Sequence, residues 1–265
     1  MLGGKRVTRF PEIREPLLNL ESSPGRNRRL VPRPFDTSGL GDLPVAADAP
    51  DLPDVSEVQA VRHFTRLSRL NYGIDHGMYP LGSCTMKYNP RIGEEIASRV
   101  RAVHPADTPA MRPVLECLKR LERLLMEICG MDACCLWPAA GAHGELTGMM
   151  VISGALKRRG ERRSTVLIPD TAHGTNPASC TIAGFTTRGV PSGSGGFLEA
   201  SVLEQHLDGD VAALMITNPN TLGIFEQEIH RIAEILHANG SYLYMDGANL
   251  NALMGIARPG DMGVD

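Results

Sequence analysis

The spacing of apolar residues divides the chain into three parts. Residues 1–55 are rich in proline, glycine and arginine, and few apolar positions recur at helical spacing. We expect this part to be an arm that lies over the body of the protein or over a partner subunit; a basic tail without fixed structure is the alternative. Residues 56–130 show helical periodicity, and residues 131–265 alternate between short apolar runs and helical patterns.

The middle part predicts two helices and the loop between them. The first helix follows Ser56, a residue type that caps helix N-termini. The second covers residues 113–129 and ends at Gly130, where glycine favours a C-terminal stop. The segment 71–90 between them is dense in glycine, proline and hydroxyl residues, which predicts a long ordered loop.

The last part predicts an α/β domain. Apolar runs of strand length alternate with helical segments, a pattern typical of a mainly parallel sheet with helices on both faces. Such sheets bind ligands at the carboxyl ends of their strands. The predicted strands are 133–137, 165–168, 211–217 and 242–246, and the predicted helices are 145–159, one starting near 178, and 226–238.

Composition narrows the functional classes. The net charge is −3 and 42% of residues are hydrophobic, so nothing points to nucleic acid or an acidic membrane surface. No apolar run has the length of a signal peptide core or a membrane span. The six cysteines form no regular framework, which favours reduced, mostly buried thiols. We expect a soluble cytoplasmic protein.

The loop after the first predicted strand has the chemistry of a phosphate site. Gly141 and Gly144 allow close approach of a ligand, and the helix that follows presents free N–H groups. A tight turn without a ligand is equally compatible with this short motif. His143 and Glu145 match the His-x-Glu of zinc deaminases, but no Pro-Cys-x-x-Cys follows, so we expect no metal.

Two further loops carry polar candidates at strand ends. His173 lies in the segment 170–179 among small residues, where its ring has room to lie flat against a planar ligand; a capping loop is the alternative. Asn218 precedes a proline after the strand 211–217, so its amide is placed to contact a ring substituent, or simply to form a turn.

Asp246 is the most informative residue of the four loops. A carboxylate at the end of a buried strand is costly unless it meets a cation or good donors. A protonated pyridine nitrogen is such a cation, and Ala248, two residues on along an extended segment, would leave room for a flat ring. A helix-capping aspartate is the alternative reading. Upstream, Cys84 lies in the constrained segment 77–90, where a structural thiol is favoured over a nucleophile.

Seven segments together resemble the P-protein family of the glycine cleavage system, in the form of the second subunit of the two-subunit bacterial type. They span nearly the whole chain, and several are long and specific. The segments are Ser22–Arg26, Val61–Gly73, Tyr79–Pro90, Pro138–Gly148, Asp170–Ser179, Thr217–Gly223 and Asp246–Ala252.

The resemblance implies a fold-type-I enzyme that uses pyridoxal 5′-phosphate: glycine dehydrogenase (aminomethyl-transferring). Such an enzyme decarboxylates glycine and passes the aminomethyl group to the lipoyl arm of H-protein, in a heterotetramer with P-protein subunit 1. By this resemblance Asp246 would bind the ring nitrogen, and the other contacts would come from Gly141 and Ala142 to the phosphate, His173 and Ala248 to the two ring faces, and Thr175 and Asn218 to polar groups.

The sequence departs from the family in two places. The family's Schiff-base lysine follows the region equivalent to Gly260–Gly263, whereas all four lysines here precede Asp246. We therefore expect the N-terminal portion of the subunit, incomplete in its large domain and poorly active. The segment 106–113 also lacks the family's usual glutamine and glutamate. The alternatives are a non-catalytic stabilising subunit of a heteromer, or another fold-type-I decarboxylase or lyase.

Overall fold

The computed structural model describes Ser22 and residues 53–77, 88–100 and 104–265. The chain divides into two compact units, residues 1–79 and residues 80–265. The predicted arm lies outside the described residues except for Ser22 and residues 53–55, and the segment 78–87, with Cys84, lies outside them as well.

The first unit contains the predicted capped helix. Helix α1 spans Glu57–Ser68, and Ser56 Oγ accepts a hydrogen bond from Gln59 N at 3.3 Å. The Gln59 side chain in turn accepts from Ser56 N at 3.0 Å, which completes a capping box. The described part of the following loop contains a short 3-10 turn, Ile74–His76.

The second unit begins with two helices. Helix α2 spans Arg91–Arg99 and was not predicted. Helix α3 spans Thr108–Cys129 and begins five residues before the predicted start, because Asp107 caps it and Pro109 occupies the first turn, where no N–H donor is needed. Gly130 ends it in the left-handed conformation, as expected.

The α/β part follows the predicted alternation. Every strand is flanked by a helix, and the helices begin earlier or later than predicted by three or four residues. The elements are α4 Gly141–Arg159, β1 Thr165–Pro169, α5 Thr175–Ile182, β2 Thr186–Val190, α6 Ala200–His206, β3 Val211–Thr217, α7 Ile229–Ala238 and β4 Tyr242–Asp246.

One predicted strand is wrong and one strand was missed. Residues 133–137 pair with no strand among the described residues, and Trp137 is 92% exposed, so this apolar run has no sheet to complete. The sequence of β2, Thr-Thr-Arg-Gly-Val, has little apolar character because β2 is an edge strand and only Val190 is buried. The short α6 was missed with it.

The sheet is parallel throughout, in the order β2-β1-β3-β4. From β1 the chain continues to β2, at one edge of the sheet, and from β3 it continues to β4, at the other edge. The strand order therefore reverses direction between the neighbouring strands β1 and β3. Pro169, Thr217 and Asp246 all end their strands at the same edge. Parallel sheets of this kind bind ligands outside that edge, next to the switch point.

Helices cover both faces of the sheet, which confirms the expected α/β fold. Alternate strand residues face opposite layers, and the continuous burial of β1 and β3 reflects this. Helices α4 and α5 pack on one face, with Met149, Ile152, Leu156, Val166, Ile168, Cys180, Phe185 and Met215. Helices α6 and α7 pack on the other, with Leu167, Leu203, Leu214, Ile216, Ile229, Ile232, Leu236 and Leu243.

The five cysteines within the described residues have free thiols. Only Cys180 is buried, whereas Cys117 and Cys135 are exposed, so the expectation of mostly buried thiols is wrong for this part of the chain. Burial raises the pKa of the Cys180 thiol to about 11, which keeps it protonated. None of the described helices is both long and apolar enough to cross a membrane.

Gly148 fixes how closely α4 approaches β4. A Cβ at this position would collide with the ring of Tyr244, whereas a Cβ at Gly154 on the same helix would meet nothing within 4 Å. Replacing Gly148 by alanine therefore requires the tyrosine or the helix to move. We expect Gly148→Ala to lower the free energy of unfolding by about 1–3 kcal/mol, measured by chemical denaturation.

The matched control is Gly154→Ala. It adds a methyl group to an exposed helix position without a clash, so it should raise the free energy of unfolding by about 0.5–1 kcal/mol. Equal effects of the two substitutions would show that the Gly148–Tyr244 contact does not constrain α4.

Candidate active site

A cavity of about 950 Å³ opens at the carboxyl edge of the sheet. The loops after β1 and β4 and the N-terminal turns of α4 and α5 form its walls. Of the seven residues predicted for the site, six line it and Asn218 does not. The lining residues are Gly141, Ala142, Gly144, Glu145, His173, Gly174, Thr175, Tyr244, Asp246, Gly247, Ala248, Asn251 and Met254.

Asp246 lies at the floor of this cavity and is 5% exposed. Its Oδ1 accepts a hydrogen bond from Ala248 N at 2.9 Å. Its Oδ2 accepts from Asn176 Nδ2 at 3.2 Å and from Thr217 Oγ1 at 3.4 Å. Donors from three segments thus hold the carboxylate, which offsets part of its desolvation cost.

Ala248 lines the cavity, but the expected extended conformation is wrong. The chain turns immediately after β4, and the Asp246 side chain accepts from Ala248 N inside that turn. Asp246 therefore shapes the loop as well as facing the cavity.

His173 contacts the same carboxylate. Its Nε2 lies 2.6 Å from Asp246 Oδ2, a distance at which the imidazole N–H donates to the carboxylate, and 20% of its side chain is exposed. The sequence predicted a ring that lies flat against a ligand and gave no sign of this edge contact. The hydrogen bond fixes the imidazole beside Asp246 in the cavity wall.

Glu145 is a second buried carboxyl group at the floor and was missed as a site residue. It is 5% exposed, and its Oε1 lies 3.7 Å from His173 Nε2. Ser179 Oγ donates to Glu145 Oε2 at 3.3 Å. Burial raises the pKa of Glu145, and the negative charge of Asp246 raises it further, while His173 and the side chains of Ser179 and Asn176 act in the opposite direction.

Three side chains at the floor, those of Glu145, His173 and Asp246, each offer an atom of a type that binds metal ions. These three atoms lie within 4.8 Å of one another. Two ligands of one tetrahedral metal ion stand about 3 Å apart, because each metal–ligand bond is about 2 Å. The 2.6 Å between His173 Nε2 and Asp246 Oδ2 is the distance of a hydrogen bond. We therefore assign the cluster as a hydrogen-bonded group.

Two helix N-termini face the cavity. Helix α4 begins at Gly141 without a side-chain cap, and a Cβ at Gly141 would meet nothing within 4 Å. Helix α5 begins at Thr175, again without a side-chain cap. The first turn of α4 carries free N–H groups, whereas in α5 Asn176 N donates to His173 O and Pro177 has no N–H. Both helices direct the positive end of their dipole to the cavity, so this side attracts anions. No lysine or arginine of the described residues lines the cavity.

Asn218, the seventh residue predicted for the site, does not line the cavity. It is fully buried; its Nδ2 faces Met262 Sδ at 3.9 Å and its Oδ1 accepts from Glu226 N at 3.1 Å. Its side chain therefore braces the loop that follows β3. In that loop, the Asn218–Pro219 peptide bond is cis.

Tyr244 was also missed, although the sequence contains a signal for it. It lies two residues before Asp246 on β4, so strand alternation places both side chains on the same face. Burial raises the pKa of its phenol, and the neighbouring carboxyl groups of Asp246 and Glu145 raise it further. Asn176 lies in the segment 170–179, where the sequence also allows a capping loop, and its contact with Asp246 depends on how α5 packs.

Sequence comparisons place the chain among proteins of one kind, although no protein-family model matches it. A protein of Chloroherpeton thalassium, named probable glycine dehydrogenase (decarboxylating) subunit 2, is 51% identical over 239 residues, or 89% of this chain and 47% of that protein. Proteins of the same name are 49% identical in Pyrococcus horikoshii, over 95% of this chain and 51% of the relative, and 45% identical in Alkaliphilus oremlandii, over 99% and 51%. The chain spans about half the length of the curated relatives it matches.

Solved structures support the fold. A crystal structure of glycine decarboxylase (P-protein) of the glycine cleavage system, in inhibitor-bound form, matches with a TM-score of 0.64 and 21% identity, over 86% of this chain and 51% of that one. A sphingosine-1-phosphate lyase of Burkholderia pseudomallei matches with a TM-score of 0.53 and 13% identity, over 78% and 50%. At these identities the likeness concerns the fold, and it confirms the expected fold-type-I α/β domain.

Proposed function

Because the chain belongs to the glycine dehydrogenase (decarboxylating) subunit 2 family over the half of that protein that it spans, we propose that it forms the cofactor-binding part of a glycine cleavage P-protein. The cofactor is pyridoxal 5′-phosphate. The observation that carries this proposal is the Asp246 carboxylate, buried at the cavity floor and held by hydrogen-bond donors, with no lysine or arginine among the described residues that line the cavity.

The residues present fit the ring of the cofactor. A buried carboxylate in a cavity that no lysine or arginine of the described residues lines is complementary to a protonated pyridine nitrogen, and the ion pair keeps that nitrogen charged. When bound, pyridoxal phosphate withdraws electrons from the α-carbon of an amino acid, which is the chemistry that decarboxylation requires. In this proposal His173 covers one face of the ring and Ala248 the other.

The wall formed by the N-termini of α4 and α5 fits the phosphate. Gly141 and Ala142 present the uncapped first turn of α4, and Thr175 adds a hydroxyl at the start of α5. N–H groups and helix dipoles hold a dianion without requiring a lysine or arginine. Gly141 has no packing role in the described chain, so the backbone is free to approach the phosphate closely.

The proposed reaction removes the carboxylate of glycine and passes the aminomethyl group to the lipoyl arm of H-protein, with P-protein subunit 1 as the partner and the cytoplasm as the compartment.

Lys119 and Lys157 lie on α3 and α4, and neither lines the cavity. Among the described residues, we therefore expect the cofactor to be held by its ring and phosphate contacts.

We expect Asp246→Asn to weaken binding of pyridoxal phosphate at least tenfold. Asparagine keeps the shape of the side chain but not its charge, and a charge-assisted hydrogen bond contributes about 1.5–3 kcal/mol. The measurement is a fluorescence titration of the chain with pyridoxal phosphate and with the 1-deaza analogue, which has carbon in place of the ring nitrogen. The analogue should bind both variants equally.

The matched control is Asp132→Asn, a change at an exposed aspartate outside the cavity. It should leave both affinities unchanged. If Asp246→Asn weakened the two ligands equally, or neither of them, Asp246 would not be the partner of the ring nitrogen.

The reaction is tested by exchange of labelled bicarbonate into glycine, with pyridoxal phosphate, subunit 1 and lipoylated H-protein present. We expect slow exchange that depends on the cofactor and on H-protein and is abolished by Asp246→Asn. Exchange indistinguishable from a reaction without the chain, once cofactor binding has been demonstrated, would favour a non-catalytic stabilising role. Reaction with a different amino acid would instead favour another decarboxylase or lyase.

A further inference from the structure

The cavity floor carries more acidic groups than the proposed cofactor needs. Glu145 and Asp246 are both 5% exposed, and the side chain between them is the imidazole of His173. A protonated pyridine ring brings one positive charge to this floor. If Glu145 and Asp246 were both ionised, the floor would need a second positive charge besides that of the ring, and an uncompensated charge inside the protein is strongly unfavourable.

The distances show which carboxyl group carries the charge. His173 Nε2 lies 2.6 Å from Asp246 Oδ2 but 3.7 Å from Glu145 Oε1, so the imidazole N–H donates to Asp246. Asp246 also accepts from Asn176 Nδ2 and Ala248 N. Glu145 has two hydrogen-bonding neighbours, Ser179 Oγ at 3.3 Å and the side chain of Asn176, which it shares with Asp246. The donors that stabilise an anion are thus concentrated on Asp246.

The surroundings of Glu145 favour its protonated form. Its titratable neighbours are His173 from the loop after β1, Asp246 and Tyr244 from β4, and Cys180 from α5. Of these, only the imidazole is able to carry a positive charge, and Asp246 already takes its proton donor. Burial and the proximity of Asp246 both raise the pKa of Glu145.

We propose that Glu145 is a positioning residue held as a neutral carboxylic acid. It packs against His173 and leaves Asp246 as the single anion that faces the cofactor. This inference rests on the proposed function and deepens it. Glu145 touches His173 rather than the reacting atoms. Because Glu145 is neutral in this proposal, the floor carries one negative charge, which balances the single positive charge of the pyridine ring. The Glu145 side chain also limits the movement of the His173 imidazole.

Two substitutions separate the neutral acid from its alternatives. Glu145→Gln keeps the shape and the polar contacts of a neutral acid, whereas Glu145→Met keeps the volume and removes every polar contact. Titrated with pyridoxal phosphate, the methionine variant should bind about tenfold more weakly, because Ser179 and His173 lose a polar neighbour. The glutamine variant should restore the affinity to within about twofold of the wild type.

Each other outcome overturns the proposal. If both variants bind as weakly as each other, the charge of Glu145 is required; if both bind like the wild type, Glu145 positions nothing. A glutamine variant that fails to fold also contradicts a neutral acid. If the methionine variant does not fold, Ser179→Ala takes its place and should weaken binding several-fold; an unchanged affinity then counts against the proposal. Glu204→Gln, at an exposed position of α6, is the control that should change nothing.

The pH dependence of stability gives a readout that needs no cofactor. A pKa above the ordinary glutamate value of 4.5 in the folded protein means that the unfolded chain releases this proton first. The stabilising contribution is full below that value and is lost as the pH rises toward the folded-state pKa. Glutamine does not titrate, so its contribution to stability does not change with pH. The thermal midpoint of Glu145→Gln minus that of the wild type should therefore increase as the pH is raised from about 4 to about 7. A fall over that range would mean that Glu145 is ionised in the folded protein.

The two levels of proposal fail in different ways. If pyridoxal phosphate does not bind the wild-type chain, or binds Asp246→Asn equally well, the proposed function is wrong. The pH series with Glu145→Gln still decides whether Glu145 is neutral. If the cofactor binds through Asp246 and the glutamine variant fails to restore the affinity lost in the methionine variant, only the role of Glu145 is wrong.

Discussion

The Asp246 carboxylate is buried at the end of β4 and requires hydrogen-bond donors. The donors come from four segments of the chain, so this carboxylate connects the described parts of the site. Ala248 N comes from the turn after β4, Thr217 Oγ1 from the end of β3, Asn176 Nδ2 from α5 and His173 Nε2 from the loop after β1. An uncompensated charge in the interior costs several kcal/mol, and these donors offset part of that cost. The same hydrogen bonds join the loops after β1 and β4, the end of β3 and helix α5 at the floor of the cavity.

The strand order explains why these donors meet. β1, β3 and β4 are adjacent and parallel, so their carboxyl ends lie along one edge, and the change of direction between β1 and β3 opens space outside it. The N-termini of α4 and α5 reach the same space and favour an anion there. The cavity thus has a negative floor and a positive wall. That separation of charge matches a ligand with a pyridinium ring at one end and a phosphate at the other.

Much of the fold was predictable because burial leaves a strong pattern in the sequence. β3 and β4 have the predicted bounds, since a strand buried in a parallel sheet is a short apolar run with a sharp polar end. The edge strand β2 has no such pattern. Residues 133–137 do form a short apolar run, but they pair with no strand among the described residues. The sequence of a segment does not show whether a partner strand exists.

The candidate site was predictable where a residue follows a strand and unpredictable where packing sets the direction of a side chain. Six of the predicted residues line the cavity, because strand ends converge. Asn218 also follows a strand, but its side chain points into the core toward Met262. Glu145 and Asn176 were missed as site residues, because their contacts join segments that are far apart in the sequence. The charge state of Glu145 is a property of that three-dimensional cluster.

The central claim is that Asp246 holds a protonated pyridine ring, and 15N NMR of ring-labelled pyridoxal phosphate bound to the wild-type chain tests it most directly. The chemical shift of the ring nitrogen distinguishes its protonated form from its free form. We expect the bound nitrogen to remain protonated from about pH 6 to about pH 9, because an adjacent buried carboxylate raises its pKa. A bound nitrogen that titrates like that of the free cofactor would contradict the account.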